Sequence, residues 1–183
     1  QPVRITRPHG GDHEFDYDAQ GSQIERRERV DGAWQATLFE VDGLGRRTAE
    51  ILPSGMRREI AYDPDGRIAA QRAWRDNTLE AEAIFGWAGG QLVSVEDAAY
   101  AAAETFSYDT AGNLASIHFP GGERLDVEYD LRGRRTGETY VLPGSSVLRS
   151  LGFRYDAAGR PSAIEDGGDT LLDRSFVDGQ LEQ

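Results

Sequence analysis

The sequence predicts an all-β protein, a run of tandem β-hairpins forming one wide, curled antiparallel sheet. Three observations lead there. An aromatic residue closes a strand-like run at near-constant spacing, a four-residue turn signal follows it, and a second set of Pro, Gly, Asp and Asn turn formers falls between those turns.

The pattern is plainest at Phe153-Arg154-Tyr155-Asp156-Ala157-Ala158-Gly159-Arg160. Phe153 and Tyr155 are two apart and share one face of a strand. Asp156 and Gly159 take the first and last places of a type I turn, where Asp can accept backbone N–H bonds and Gly tolerates positive φ. The aromatic marker recurs at Tyr17, Val41, Tyr62, Trp87, Tyr108, Tyr129, Tyr155 and Phe176, in steps of 24, 21, 25, 21, 21, 26 and 21 residues. Six slots carry Gly four residues later: Gly21, Gly45, Gly66, Gly112, Gly133 and Gly159. The Trp87 and Phe176 slots are shorter by one, and Gly90 and Gly179 fill the corresponding place.

Between these turns lie Asp31-Gly32, Pro53-Ser54-Gly55, Asp76-Asn77, Pro120-Gly121-Gly122, Pro143-Gly144 and Asp166-Gly167-Gly168. Each repeat therefore reads strand, turn, strand, turn. The insertions fall around this second turn, where a hairpin tip absorbs extra length cheaply. Leu125, Val127 and Tyr129 alternate with Arg124, Asp126 and Glu128, one dry face and one wet face. Leu114 and Ile117, like Pro161 and Ile164, are three apart; a β-bulge would bring each pair onto one face. Glu96–Glu104 is Ala-rich with helix propensity. The unmodified 21-residue step from Trp87 to Tyr108 leaves no room for a helix, so a turn followed by a strand is expected.

Organisation follows: residues 1–14 as an entry segment, 15–183 as about eight repeats in one repeat domain, and the whole as a piece of a longer chain. Two strands per slot give a sheet about 75 Å wide at ~4.8 Å per strand. Twisted open sheets rarely exceed about ten strands without curling. The product would be a wall around a space, with two edges that need neighbours.

The net charge of −12, with all 20 basic residues Arg, argues against a nucleic-acid surface. There is no Cys, hence no disulfide and no thiolate chemistry. No apolar run reaches the ~20 residues of a membrane span.

Catalytic, cofactor and metal residues are not expected. His9 and His13 flank Gly10-Gly11-Asp12 without a third ligand, and His118 has no nucleophile at motif spacing. Asp18, Asp42, Asp63, Asp109, Asp130 and Asp156 repeat one turn place, which marks them as structural. The expected structural positions are Tyr17, Asp18, Gly21, Tyr62, Asp63, Gly66, Trp87, Gly90, Tyr108, Asp109, Gly112, Tyr129, Asp130, Gly133, Tyr155, Asp156 and Gly159.

The runs Tyr17-Asp18-x-x-Gly21, Tyr62-Asp63-Pro64-Asp65-Gly66-Arg67, Tyr108-Asp109-x-x-Gly112-Asn113, Tyr129-Asp130-x-x-Gly133-Arg134 and Tyr155-Asp156-x-x-Gly159-Arg160 resemble YD repeats. These characterise the rearrangement-hotspot (Rhs) family of bacterial polymorphic toxins, B and C components of insecticidal toxin complexes, and teneurins. The resemblance implies a hollow shell of hairpins, secreted or at a cell surface, enclosing an attached toxic polypeptide. It implies flanking repeats and a toxin domain as partners. Edge strands offer self-association, and the aromatic column offers the alternative of an extracellular module binding carbohydrate or a cell-surface protein.

Overall fold

The computed structural model describes residues 3–7, 10–100, 102–174, 176–177 and 180–181. All the regular structure among them is β-strand. Two compact units divide the chain, Gln1–Gly86 with Glu96–Ala101, and Trp87–Val95 with Ala102–Gln183.

The first unit holds β1 (Val3–Arg7), β2 (Gly10–Tyr17), β3 (Gln23–Val30), β4 (Ala33–Val41), β5 (Arg47–Ile51), β6 (Arg57–Tyr62), β7 (Ile68–Arg75) and most of β8 (Thr78–Ala88). Each of these strands runs antiparallel to the next in sequence. The second holds most of β9 (Gln91–Asp97), then β10 (Ala102–Tyr108), β11 (Leu114–His118), β12 (Arg124–Tyr129), β13 (Arg135–Val141), β14 (Val147–Tyr155), β15 (Pro161–Asp166) and β16 (Asp169–Asp173). From β10 onward these too pair antiparallel in order. A short hairpin, β17 (Phe176–Val177) with β18 (Gln180–Leu181), follows.

Every described marker residue stands at or beside the end of its strand. The Ala-rich segment is the end of β9, a turn closed by Tyr100 N–H on the Asp97 carbonyl at 3.2 Å, and β10. The three long steps lengthen hairpins β3–β4, β7–β8 and β13–β14, whereas 21-residue steps give short ones such as β5–β6 and β11–β12.

The entry segment carries strand structure. Residues 3–14 contain β1 and most of β2, in register through Val3↔Phe15 and Ile5↔His13. Gly10 and Gly11 belong to β2, Gly10 standing opposite Arg7 of β1, while His13–Tyr17 of the same strand pair with β3. His9 lies outside the described residues, and His13 stacks on Phe15 with ring centroids 6.4 Å apart.

A bulge follows each four-residue turn. Tyr108 faces Leu114 while Ser107 faces Ser116, leaving Ala115 extra; Tyr155 faces Pro161 while Arg154 faces Ala163, leaving Ser162 extra. The same slip recurs after Tyr17, Val41, Tyr62 and Tyr129. It puts Leu114 and Ile117, and Pro161 and Ile164, on the face of the marker tyrosines, as the spacing requires. Leu125, Val127 and Tyr129 share that face, and Arg124, Asp126 and Glu128 the other.

Burial is slight, because within each unit a side chain is covered mainly by its neighbours in the sheet. Among the described residues Phe39, Ala49, Ala70, Val127 and Val141 form the buried apolar set. Phe39 is covered by Arg47, whose guanidinium carbon stands 3.7 Å from the ring centre.

Candidate functional site

The repeated Tyr-Asp turns line one edge of each unit, and their side chains do more than close hairpins. At Asp156 the backbone makes a type I turn whose last residue is left-handed. Gly159 N–H donates to the Asp156 carbonyl at 2.9 Å, Asp156 N–H donates to the Arg160 carbonyl at 2.9 Å, and Gly159 has φ 84°. The Asp156 carboxylate accepts Arg160 N–H at 2.8 Å and Arg160 Nε–H at 2.6 Å. Asp42, Asp63 and Asp130 hold Arg46, Arg67 and Arg134 in the same way. Asp109 holds Asn113 by backbone and side chain, and Asp18 accepts the backbone N–H of Gln20 and Ser22. The Arg134 guanidinium, and next its backbone N–H, hold the Asp130 carboxyl below the usual carboxylate range. The Asn113 amide does the same for Asp109, and the Arg160 backbone N–H for Asp156.

The residue after the Gly reaches the next repeat. Arg46 lies over the ring of Tyr62 at 4.2 Å, and Arg134 over that of Tyr155 at 4.4 Å. Arg134 Nη1 has no hydrogen-bond partner, and the ring face of Tyr155 stands in for one. A Cβ on Gly66 would come 3.3 Å from Arg46 Nη1, and one on Gly159 3.4 Å from Arg134 Nη1. Ser22 against Gly45, Gln91 against Gly112 and Asn113 against Gly133 repeat this contact with smaller groups. The Gly is thus required twice, for its left-handed φ and for the side chain packed on it.

Tyrosine closes the link. Tyr62 Oη donates to the Arg47 carbonyl at 2.9 Å, Tyr108 Oη to Leu92 at 2.8 Å and Tyr155 Oη to Arg135 at 2.8 Å. In each case the acceptor is the second residue after the Gly of the preceding slot. Tyr17 and Tyr129 occupy the same strand-end place, paired with Gln23 and Arg135. Gly21, Gly112 and Gly133 are left-handed like Gly159. At the Trp87 slot a two-residue turn replaces the loop, with Gly89 at φ 57° and Gly90 at φ 84°. Val41, without a ring, still precedes a full turn, with Gly45 N–H donating to the Asp42 carbonyl at 2.9 Å.

Sequence reasoning missed the arginines. Their signal was visible, since Arg follows the Gly in four of six slots, but the partner sits one repeat away. His118, at the exposed end of β11, faces Thr105 and Arg124. Among the described residues no three His, Asp or Glu side chains gather as metal ligands, and no helix is long and apolar enough to cross a membrane.

The family model of the RHS Repeat matches residues 108–146, two of these turns with the strands between them. Over that stretch the chain is similar to the Rhs, or YD-repeat, family. Over 152 residues the chain is 28% identical to double-stranded DNA deaminase toxin A of Burkholderia cenocepacia (strain H111), a match covering 81% of the chain and 10% of that protein. Its fold is that of a segment of the Photorhabdus luminescens Tc holotoxin pore, with TM-score 0.71 and 13% identity over 88% of this chain and 11% of the other. It also matches the TcdB2-TccC3-TEV structure, with TM-score 0.57 and 14% identity over 97% and 12%. The chain spans about a tenth of the length of each.

Proposed function

We propose that this chain is a segment of the wall of an Rhs shell, part of a delivered bacterial toxin, and that it works by enclosing an attached toxic polypeptide rather than by catalysis. The observation that carries the reading is the link between repeats. Tyr hydroxyl, Arg and Gly fasten the turns at Tyr62 and Tyr155 to the ones before them, and the Tyr108 hydroxyl makes the same bond, giving a thin wall continuity without a second layer. The polar groups that recur with the period are consumed in this fastening, which leaves them structural. Toxins among its relatives by sequence and fold support the setting. Flanking repeats and the toxin domain of the parent chain are the partners this reading requires, with edge strands as the place of contact. Sugar stacking on the tyrosine column is disfavoured, because Arg46 and Arg134 already occupy a face of Tyr62 and Tyr155.

Limited proteolysis of the full-length protein tests it. The polypeptide beyond the repeats should resist protease in the intact protein and be digested when expressed alone. Digestion at the same rate in both settings would overturn the enclosure.

A further inference from the structure

In the first unit, the face opposite the tyrosines carries two parallel rows of side chains that run across the strands. One row is apolar: Leu38, Ile51, Trp74 and Leu79 stand opposite one another in register, interrupted by Arg57. Leu38 is 44% and Leu79 42% exposed, and Trp34, on the same face of β4, is 41% exposed. The neighbouring row, two residues nearer the Tyr-Asp turns, is Glu40, Ala49, Glu59, Arg72 and Glu82.

The charges of this face are unequal. Arg27, Arg29, Arg57 and Arg72 share it with Glu14, Asp16, Glu25, Glu40, Glu59 and Glu82, four guanidinium groups to six carboxylates among these residues. Arg57 spends its donors within the face, Nε–H on Glu59 at 2.7 Å and the two terminal nitrogens on Glu40 at 2.7 and 2.8 Å. Carboxylates keep spare acceptor positions after such pairing. The face therefore attracts cations and repels anions. Exposed pairs of this kind contribute at most about 1 kcal/mol each to folding, so stability does not account for them.

We infer that this face is a docking surface for an extended basic segment of another polypeptide, one alternating Lys or Arg with apolar residues. An extended chain directs successive side chains to opposite sides. Laid between the two rows, which are about 7 Å apart on a strand rise of ~3.4 Å per residue, it turns apolar side chains to Leu38, Ile51, Trp74 and Leu79. Its cations then face Glu40, Glu59 and Glu82. This surface exists in the 183-residue chain itself and does not depend on enclosure.

Fluorescence anisotropy with a labelled peptide of alternating Lys and Leu tests the inference, alongside a Glu-Leu and a Lys-Ser peptide. The Lys-Leu peptide should bind at least tenfold more tightly than either, and more weakly as salt rises. Glu40→Gln with Glu82→Gln, and separately Leu38→Ser with Leu79→Ser, should each weaken it about tenfold, with circular dichroism unchanged. Glu123→Gln with Asp169→Asn removes the same charge from the second unit and should leave binding intact. Equal loss in that control would reduce the effect to net charge and overturn the docking face. So would comparable binding of the Glu-Leu or Lys-Ser peptide, or no binding at all.

Discussion

The two edges of each unit share one four-residue backbone turn, used at the far edge beside shorter two-residue turns, and differ in the side chain that opens it. At the Tyr-Asp edge Asp130 N–H donates to the Arg134 carbonyl at 2.9 Å, and Gly133 N–H to the Asp130 carbonyl at 2.9 Å. At the far edge Leu52, Phe119 and Leu142 stand in the Asp place and make equivalent bonds to Met56, Glu123 and Ser146. The last of these turns even closes through Ser145 at φ 69° instead of Gly. Asp is therefore not what makes the turn. Its carboxylate holds the residue after the Gly in position to meet the next repeat, which the far edge does not need. That edge carries hairpins of unequal length, while the Tyr-Asp edge keeps its spacing.

The largest contrast should come from two glycines of similar φ. Gly55, at +82° on the far edge, has open space around it; Gly66, at +86°, lies under Arg46. Gly55→Val should cost about 1–2 kcal/mol for the left-handed backbone. Gly66→Val should cost about 1 kcal/mol more, because Arg46 must leave the Tyr62 ring. Urea melts of both variants measure the difference, and equal losses would mean the turns are not packed on one another. Next in size, Tyr155→Phe removes the bond to the Arg135 carbonyl and should cost about 1 kcal/mol in the same melts. No loss there would leave the ring contact as the link.

The smallest effect is expected in acid. The carboxyls of Asp109, Asp130 and Asp156 titrate below their ordinary value in the folded chain. Their contribution is complete above the unfolded value of about 3.9 and is lost as pH falls through the lower folded values. Replacing all three by Asn should flatten the fall in stability below about pH 4. An unchanged slope in melts across that range would show that other carboxylates dominate it.

Much of this fold was legible because its signals are local. Strand alternation at Leu125, Val127 and Tyr129, the turn at Asp156 and the bulge implied by Leu114 and Ile117 each need only a few consecutive residues. Period outweighed propensity between Glu96 and Glu104, since a hairpin repeat fixes how many residues reach the next turn. The link between repeats was not legible. Arg46 and Tyr62 are 16 residues apart, and Arg134 and Tyr155 are 21 apart, so the pair has no constant spacing to read. Their meeting depends on register, which insertions at the far edge alter in sequence but not in space. The hairpin within residues 3–14 escaped notice because its Gly pair reads as a breaker, although Gly10 only begins β2, opposite Arg7.

Within each unit, every strand pairing described joins neighbours in sequence. Contacts of such short range close quickly and can form as the chain emerges, one hairpin settling on the last. The growing end always offers an open strand edge and the finished part needs nothing from sequence still to come. A sheet assembled this way grows strand by strand from one open edge and never has to reopen to admit the next hairpin.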